Sequence, residues 1–325
     1  MMSEAQPAVS IFCPTCQRDC QRFGKHRNGL RRFRCPGCNR TYTERHERTL
    51  GTMYVSQDRA AMALQLLLEG NSIRSTERIT GMDRNTIMTL LVKAGERCQR
   101  LAQHKIEHLT VRDVEVDEIW GYVYKKQGRI RPDESRAPIG DAYCFVGMER
   151  NTKLVLAWHL GRRSRIHTDV FLAKLRYATS DQRFQLSTDG FQAYAPAVGL
   201  ALQDRVDYAQ IIKVYGSPRE GEQRYSPAEV ISTEVLPVMG KPNMRRVCTS
   251  HIERQNLTIR MGMRRMTRLT NAFSKKWHNL KAAYGLWFTF YNLCRVHCSL
   301  RCTPAMAAGI TDHIWSVGEL VEATA

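Results

Sequence analysis

The stretch Thr249-Ser-His-Ile-Glu-Arg-Gln-Asn256 places one carboxylate where almost every other charge is positive. From Arg245 to Arg301 there are 12 Lys or Arg residues and a single acid, Glu253. Such a carboxylate has two readings. In one, Ser250-His-Ile-Glu253 is a capping box, with Glu253 reaching back to the Ser250 backbone N–H. In the other, Glu253 holds a divalent metal while its basic neighbours hold a polyanion. On a helix, Asn256 and Arg260 fall three and seven residues beyond Glu253 on the same face. A metal-type and a phosphate-type ligand would then sit side by side.

Two further acids have strand-like surroundings. Asp113-Val-Glu-Val-Asp-Glu-Ile-Trp120 alternates as a strand does, with Asp113, Glu115 and Asp117 on one face and Val114 and Val116 on the other. Three acids among β-branched residues are costly to bury unless a cation compensates them. Glu118 falls on the opposite face from Asp117, which argues against the two as equal ligands. Phe184-Gln-Leu-Ser-Thr-Asp189-Gly190 is a short strand ending in an acid. Asp-Gly is ordinary turn chemistry, or Asp189 stands at the carboxyl end of a parallel strand, where α/β sheets hold ligands. If Asp117, Asp189 and Glu253 converge, divalent cations between them relieve their repulsion. Mg²⁺, or Mn²⁺ in its place, suits such oxygen ligands. Two ions about 3.5–4 Å apart would clamp the attacking and leaving oxygens of an in-line phosphoryl displacement.

A different chemistry is written near the N-terminus. Cys13-Pro-Thr-Cys16 and Cys35-Pro-Gly-Cys38 are two C-x2-C pairs at zinc-ribbon separation. Four thiolates close a tetrahedral site, so one Zn²⁺ there is structural; the bland alternative is four unrelated buried thiols. Cys20 and His26 are spare candidates. Arg22, Lys25, Arg27, Arg31, Arg32 and Arg34, interleaved with Phe23 and Phe33, offer a phosphate-contacting surface. Cys294, Cys298 and Cys302 beside His297 read as buried thiols rather than a second metal site.

The elements that position these groups follow from periodicity. Ser56 to about Arg100 is helical: a first helix through Leu68, a short second one capped by Ser72, a turn at Gly81-Met82, and a third capped by Asp83. This is a helix-turn-helix order, or a plain packing bundle, and in the former Arg84, Asn85 and Thr89 face a major groove. Residues 101–110 read as a linker. Ala142–Met148 and Leu154–Leu160 suit a hairpin, Thr168 to Ala178 a helix, Phe191–Ala197 a brief helix and Ala209–Val214 a strand. Residues 125–138, with Arg136, read as a basic mobile loop. Residues 216–246, rich in proline, read as a long irregular loop. Lys275 to about Arg295 is a helix with an aromatic stripe, and Arg264 and Arg265 extend the basic face behind Glu253. The expected fold is multidomain: a zinc-ribbon module (1–50), a helix-turn-helix domain (51–108), and an α/β mixed-sheet domain with C-terminal helices (109–325).

The totals agree with a nucleic-acid partner. The 325 residues carry 49 basic and 31 acidic groups, a net charge of +18, which concentrates polyanions. No apolar run is long enough to span a bilayer, the first residues lack the pattern of a secretory signal, and the cysteine usage fits a reducing compartment. A soluble, intracellular protein is expected.

Val116-Asp117-Glu-Ile-Trp120, Ser187-Thr-Asp189-Gly-Phe191 and His251-Ile-Glu253-Arg-Gln-Asn256, with Arg260 beyond, resemble the three acidic motifs of DDE transposases. Arg264-Arg-Met-Thr-Arg-Leu-Thr-Asn-Ala-Phe273, Tyr291-Asn292, His297 and Thr303-Pro-Ala-Met-Ala-Ala-Gly309 are similar to bacterial transposases of the insertion-sequence-one type. The resemblance covers most of the chain and is least over 216–246. It implies a ribonuclease-H-like catalytic domain with Asp117, Asp189 and Glu253 as catalytic metal ligands, and Arg260 contacting DNA near the scissile phosphate. It also implies N-terminal modules that read the terminal inverted repeats, a homo-oligomer assembled on double-stranded end and target DNA, and a cytoplasmic, nucleoid-associated location. The competing expectations are a DNA-binding regulator with a degenerate core and a nuclease that cuts without joining.

Overall fold

The computed structural model describes residues 11–26, 30–44, 53–135, 137–216 and 230–323. Arg27, Arg136, and the Pro218, Gly221 and Pro227 part of the expected loop lie outside these ranges, as do the first ten residues.

Three short strands, β1 (Gln21–Lys25), β2 (Arg31–Arg34) and β3 (Thr41–Thr43), form an antiparallel sheet. Phe33 is its buried side chain. Three helices follow: α1 (Gln57–Leu68), α2 (Ile73–Thr80) and α3 (Arg84–Lys105). Ser72 accepts from Ser75 N to start α2, and Asp83 accepts from Asn85 N and Thr86 N to start α3. Gly81 ends α2 at φ +64°, in the left-handed region that glycine reaches without a Cβ clash. The expected linker at 101–110 is helical through Lys105. No glycine or proline interrupts the pattern there, and Leu101 and Ala102 pack against the core.

The remaining elements are β4 (Asp113–Val123), β5 (Gly140–Glu149), β6 (Val155–Gly161), α4 (Arg165–Ala178), β7 (Phe184–Asp189), α5 (Tyr194–Ala201), β8 (Val206–Tyr215), β9 (Val230–Met239), α6 (Ser250–Gly262), α7 (Trp277–Leu293), α8 (Pro304–Ala307) and α9 (Val317–Ala323). The strands form one mixed six-stranded sheet in the order β6-β5-β4-β7-β8-β9. β4 pairs antiparallel with β5 (Asp117 opposite Val146) and parallel with β7 (Val116 opposite Thr188), and β7 is parallel to β8. The outer strands β6 and β9 are antiparallel to their neighbours. The expected irregular loop is therefore corrected: ten of its residues form β9. Its side chains are mostly exposed, so it lacks hydrophobic alternation, and Pro237 is tolerated because this is an edge strand.

At the other edge, Asn292 of α7 finishes β6 in the manner of a strand. Its side-chain oxygen accepts from Val155 N (3.0 Å) and its Nδ2 donates to Val155 O (2.9 Å). α7 is buried around its whole circumference from Ala282 to Leu293, not along a stripe, because it lies between the sheet and α3. Where α3 and α7 cross, a Cβ on Gly95 would fall 2.0 Å from the Ala282 carbonyl oxygen, so the backbones touch. Cys294 Sγ faces Ser316 O and Cys298 is exposed. Among the described residues, no metal cluster forms there. Among the described residues, no helix is long and apolar enough to cross a membrane.

Candidate active site

Parallel pairing of β4 with β7 carries Asp117 and Asp189 toward one end of the sheet, and α6 approaches the same end. Asp117, Asp189 and Glu253 line one cleft of about 700 Å³ with Arg163, Lys213 and Thr249. Carboxylate oxygens of Asp117, Glu118 and Asp189 lie within 4.8 Å of one another. Glu118 thus joins the cluster despite following Asp117 on the strand. Its longer side chain is held by Arg163 Nε (2.6 Å) and Tyr194 OH (2.8 Å). Glu253 lines the cleft but stands outside that group. It forms an ion pair with Lys213 and accepts from Thr249 Oγ1 (2.8 Å).

Electrostatics mark the cluster as short of positive charge. Burial, then the charges of Glu118 and Asp189, push the Asp117 carboxyl up to about 7. Burial also raises Glu118 and Asp189, against the opposing pull of Arg163 on both and of the Phe191 N–H on Asp189. That N–H donates to Asp189 Oδ1 (3.0 Å), so the Asp-Gly turn and the cleft position coexist. Asn256 Nδ2 donates to Asp117 Oδ2 (2.8 Å), while Asn256 Oδ1 is buried without a hydrogen-bond partner. An all-oxygen donor set, a carboxyl held from ionising and an unanswered amide oxygen fit a hard divalent cation.

The other two acids of β4 already have partners among protein groups. Asp113 is ion-paired with Arg246, with Arg150 and Arg112 at 3.8 Å. Glu115, 1% exposed, accepts from His251 N (3.0 Å) and Ile252 N (3.1 Å), and its Oε1 lies 2.8 Å from His251 Nδ1. The start of α6 is therefore capped from the sheet, and the expected capping box from Glu253 is not formed. Glu253, Asn256 and Arg260 do share the sheet-facing side of α6, as the spacing requires. Arg260 donates to Trp120 O (3.0 Å) and Met266 O (3.2 Å). The chain pattern gave no sign of Arg163, Lys213 or the Glu115 cap, whose partners lie far away in sequence.

Cys13, Cys16, Cys35 and Cys38 form a compact tetrad, with Sγ–Sγ separations of 3.2–3.5 Å where they contact. Burial opposes ionisation of Cys13, but hydrogen bonds from Tyr42 OH and the Cys16 and Thr15 backbone bring it down to about 5; Cys16, bonded to Cys35 and Cys13, is pushed up to about 12. Four sulfurs packed this closely cannot all be thiolates without a cation between them, which fits a metal. Arg31 is exposed nearby, and Arg32 and Arg34 lie over the Phe23 ring.

A second cavity, about 860 Å³, separates α2 and α3 from residues 263–276. Its basic lining includes Arg74, Arg84, Arg264, Lys275 and Lys276, with Asn85 beside them. Arg265 also lines it, but its guanidinium is desolvated, donates to Ser274 Oγ (2.9 Å), and is lowered to about 10 by burial.

No protein-family model matches the chain, and no curated protein matches it. Among solved structures, a piggyBac transposase synaptic complex with hairpin DNA overlaps at TM-score 0.39 and 10% identity, over 86% of this chain and 73% of that one. A Mos1 transposase paired-end complex with left transposon end overlaps at TM-score 0.19 and 12% identity, over 51% and 61%. At such scores neither overlap assigns a fold or a function.

Proposed function

We propose that this chain is a DDE transposase with a ribonuclease-H-like core, cutting at the ends of an insertion sequence and joining them to target DNA. The observation that carries the reading is the convergence of Asp117, Asp189 and Glu253, distant in sequence, on one cleft in a strongly basic protein. These three would hold Mg²⁺ or Mn²⁺. When bound, the ions supply charge to the scissile phosphate and favour deprotonation of the attacking hydroxyl. The protein side of the work is positional. Asn256 orients Asp117, the Glu115 cap sets α6, and Arg163 and Lys213 offer positive charge at the cleft for phosphate oxygens. The cysteine tetrad would hold one structural Zn²⁺. Duplex DNA would lie across the basic surface around the cavity between α3 and residues 263–276, with Arg84, Asn85 and Arg264 as contacts and Arg31 and Arg32 on the N-terminal module.

Asp117→Asn, Asp189→Asn and Glu253→Gln should each abolish Mg²⁺-dependent cleavage of end DNA, while a gel shift of the same DNA survives. Normal cutting by any one variant would remove that residue from the assignment. The Lys213–Glu253 ion pair favours a second reading, a DNA-binding regulator whose third acid is already neutralised. Protein that shifts end DNA but never cuts it, with either Mg²⁺ or Mn²⁺, would decide for the regulator.

A further inference from the structure

A third group of potential ligands lies outside both the cleft and the tetrad. A carboxylate oxygen of Glu115, Cys248 Sγ and a ring nitrogen of His251 lie within 4.8 Å of one another. Cys248-Thr-Ser-His251 has the x2 spacing by which one turn of chain brings two ligands to one ion. The third comes from the buried side of β4. His251 Nδ1 is 2.8 Å from Glu115 Oε1 and 4.0 Å from Cys248 Sγ. Independently, the Cys248 sulfur already sits among polar groups at the start of α6. Ser250 N–H is directed at the sulfur (3.4 Å), and Ser250 Oγ lies 2.9 Å from it.

We propose that Glu115, Cys248 and His251 bind one zinc-class divalent ion that bolts the first turn of α6 to β4. A thiolate and a carboxylate balance the charge of such an ion, and a mixed S, N, O set selects zinc over magnesium. On binding, the thiol proton goes to solvent and the imidazole carries its proton on Nε2, leaving the Nδ1 lone pair for the metal. Glu115 Oε2 goes on accepting from the His251 and Ile252 N–H groups, so the ion adds to the helix cap. Three protein donors leave a fourth position for solvent. Lys153 lies near enough to feel both Glu115 and Cys248, but its Nζ is committed to Arg150 O (2.6 Å). The bolt would fix Glu253 relative to Asp117, yet the metal site stands whether or not the protein is a transposase.

The test counts metal in the full chain, loaded with zinc and then dialysed. Wild type should retain two zinc ions per chain, and Cys248→Ala and His251→Ala one each, with unchanged far-UV circular dichroism. Equal zinc in wild type and Cys248→Ala would overturn the proposal. A second measurement does not depend on those variants folding. Cys13→Ser/Cys35→Ser, which removes the tetrad, should still take up one cobalt ion with a single thiolate-to-cobalt absorption band. Absence of that band would equally overturn it.

Discussion

A half-buried carboxyl group beside two others is poorly placed to ionise, and Asp117 is in that position. Its pKa stands at about 7 against an ordinary 3.8. Between those values the folded protein holds a proton that the unfolded chain has released, so stability falls as pH rises from about 4 to about 7. Asp117→Asn should therefore raise the Tm of metal-free protein at pH 8, by about 2–4 °C per kcal/mol relieved, and the gain should vanish near pH 4. Rotation of the Asn256 amide would present its unpartnered Oδ1 to the new side chain. A lower Tm at pH 8 would show that Asp117 is already compensated. Arg260 poses a different question. Its bonds to Trp120 O and Met266 O give it a structural duty, so Arg260→Ala should cost about 1–3 kcal/mol from carbonyls left unanswered. An unshifted Tm with weakened DNA binding would return Arg260 to the phosphate.

At the scale of elements, what the sequence made legible was local. Ser72, Asp83 and Gly81 mark helix boundaries because caps and left-handed turns are decided within a few residues. The strands β4 to β8 are visible because they are buried. β9 was not, since an exposed edge strand with a proline carries no alternation. The acid-bearing motifs were legible too, but not their company. Glu115 stood in the chain only as one acid of an alternating strand, yet it caps α6, and Lys213 and Arg163 reach the cleft only through the sheet topology. The α3–α7 contact is likewise invisible in the chain, although Gly95 and Gly285 permit it. Gly95→Ala would drive a Cβ into the Ala282 carbonyl, forcing the helices apart at a cost of about 1–3 kcal/mol or more. The urea midpoint should fall accordingly; an unchanged midpoint would mean the helices do not touch there.

For the whole molecule, residues on α1 and α3 share one hydrophobic core with the sheet and α7, while the cysteine tetrad lies in the turns flanking the small N-terminal sheet. Zinc removal by a chelator should abolish end-specific DNA binding while leaving most far-UV circular dichroism intact; unaffected binding would exclude the N-terminal module from recognition. The central claim is that three acids and divalent ions make this basic protein a DNA-joining enzyme. Its most direct measurement is labelled end DNA incubated with protein, Mg²⁺ and a circular target. Covalently joined product should appear with wild type and disappear with Asp189→Asn. No joined product from wild type, or undiminished joining by the variant, would contradict the account.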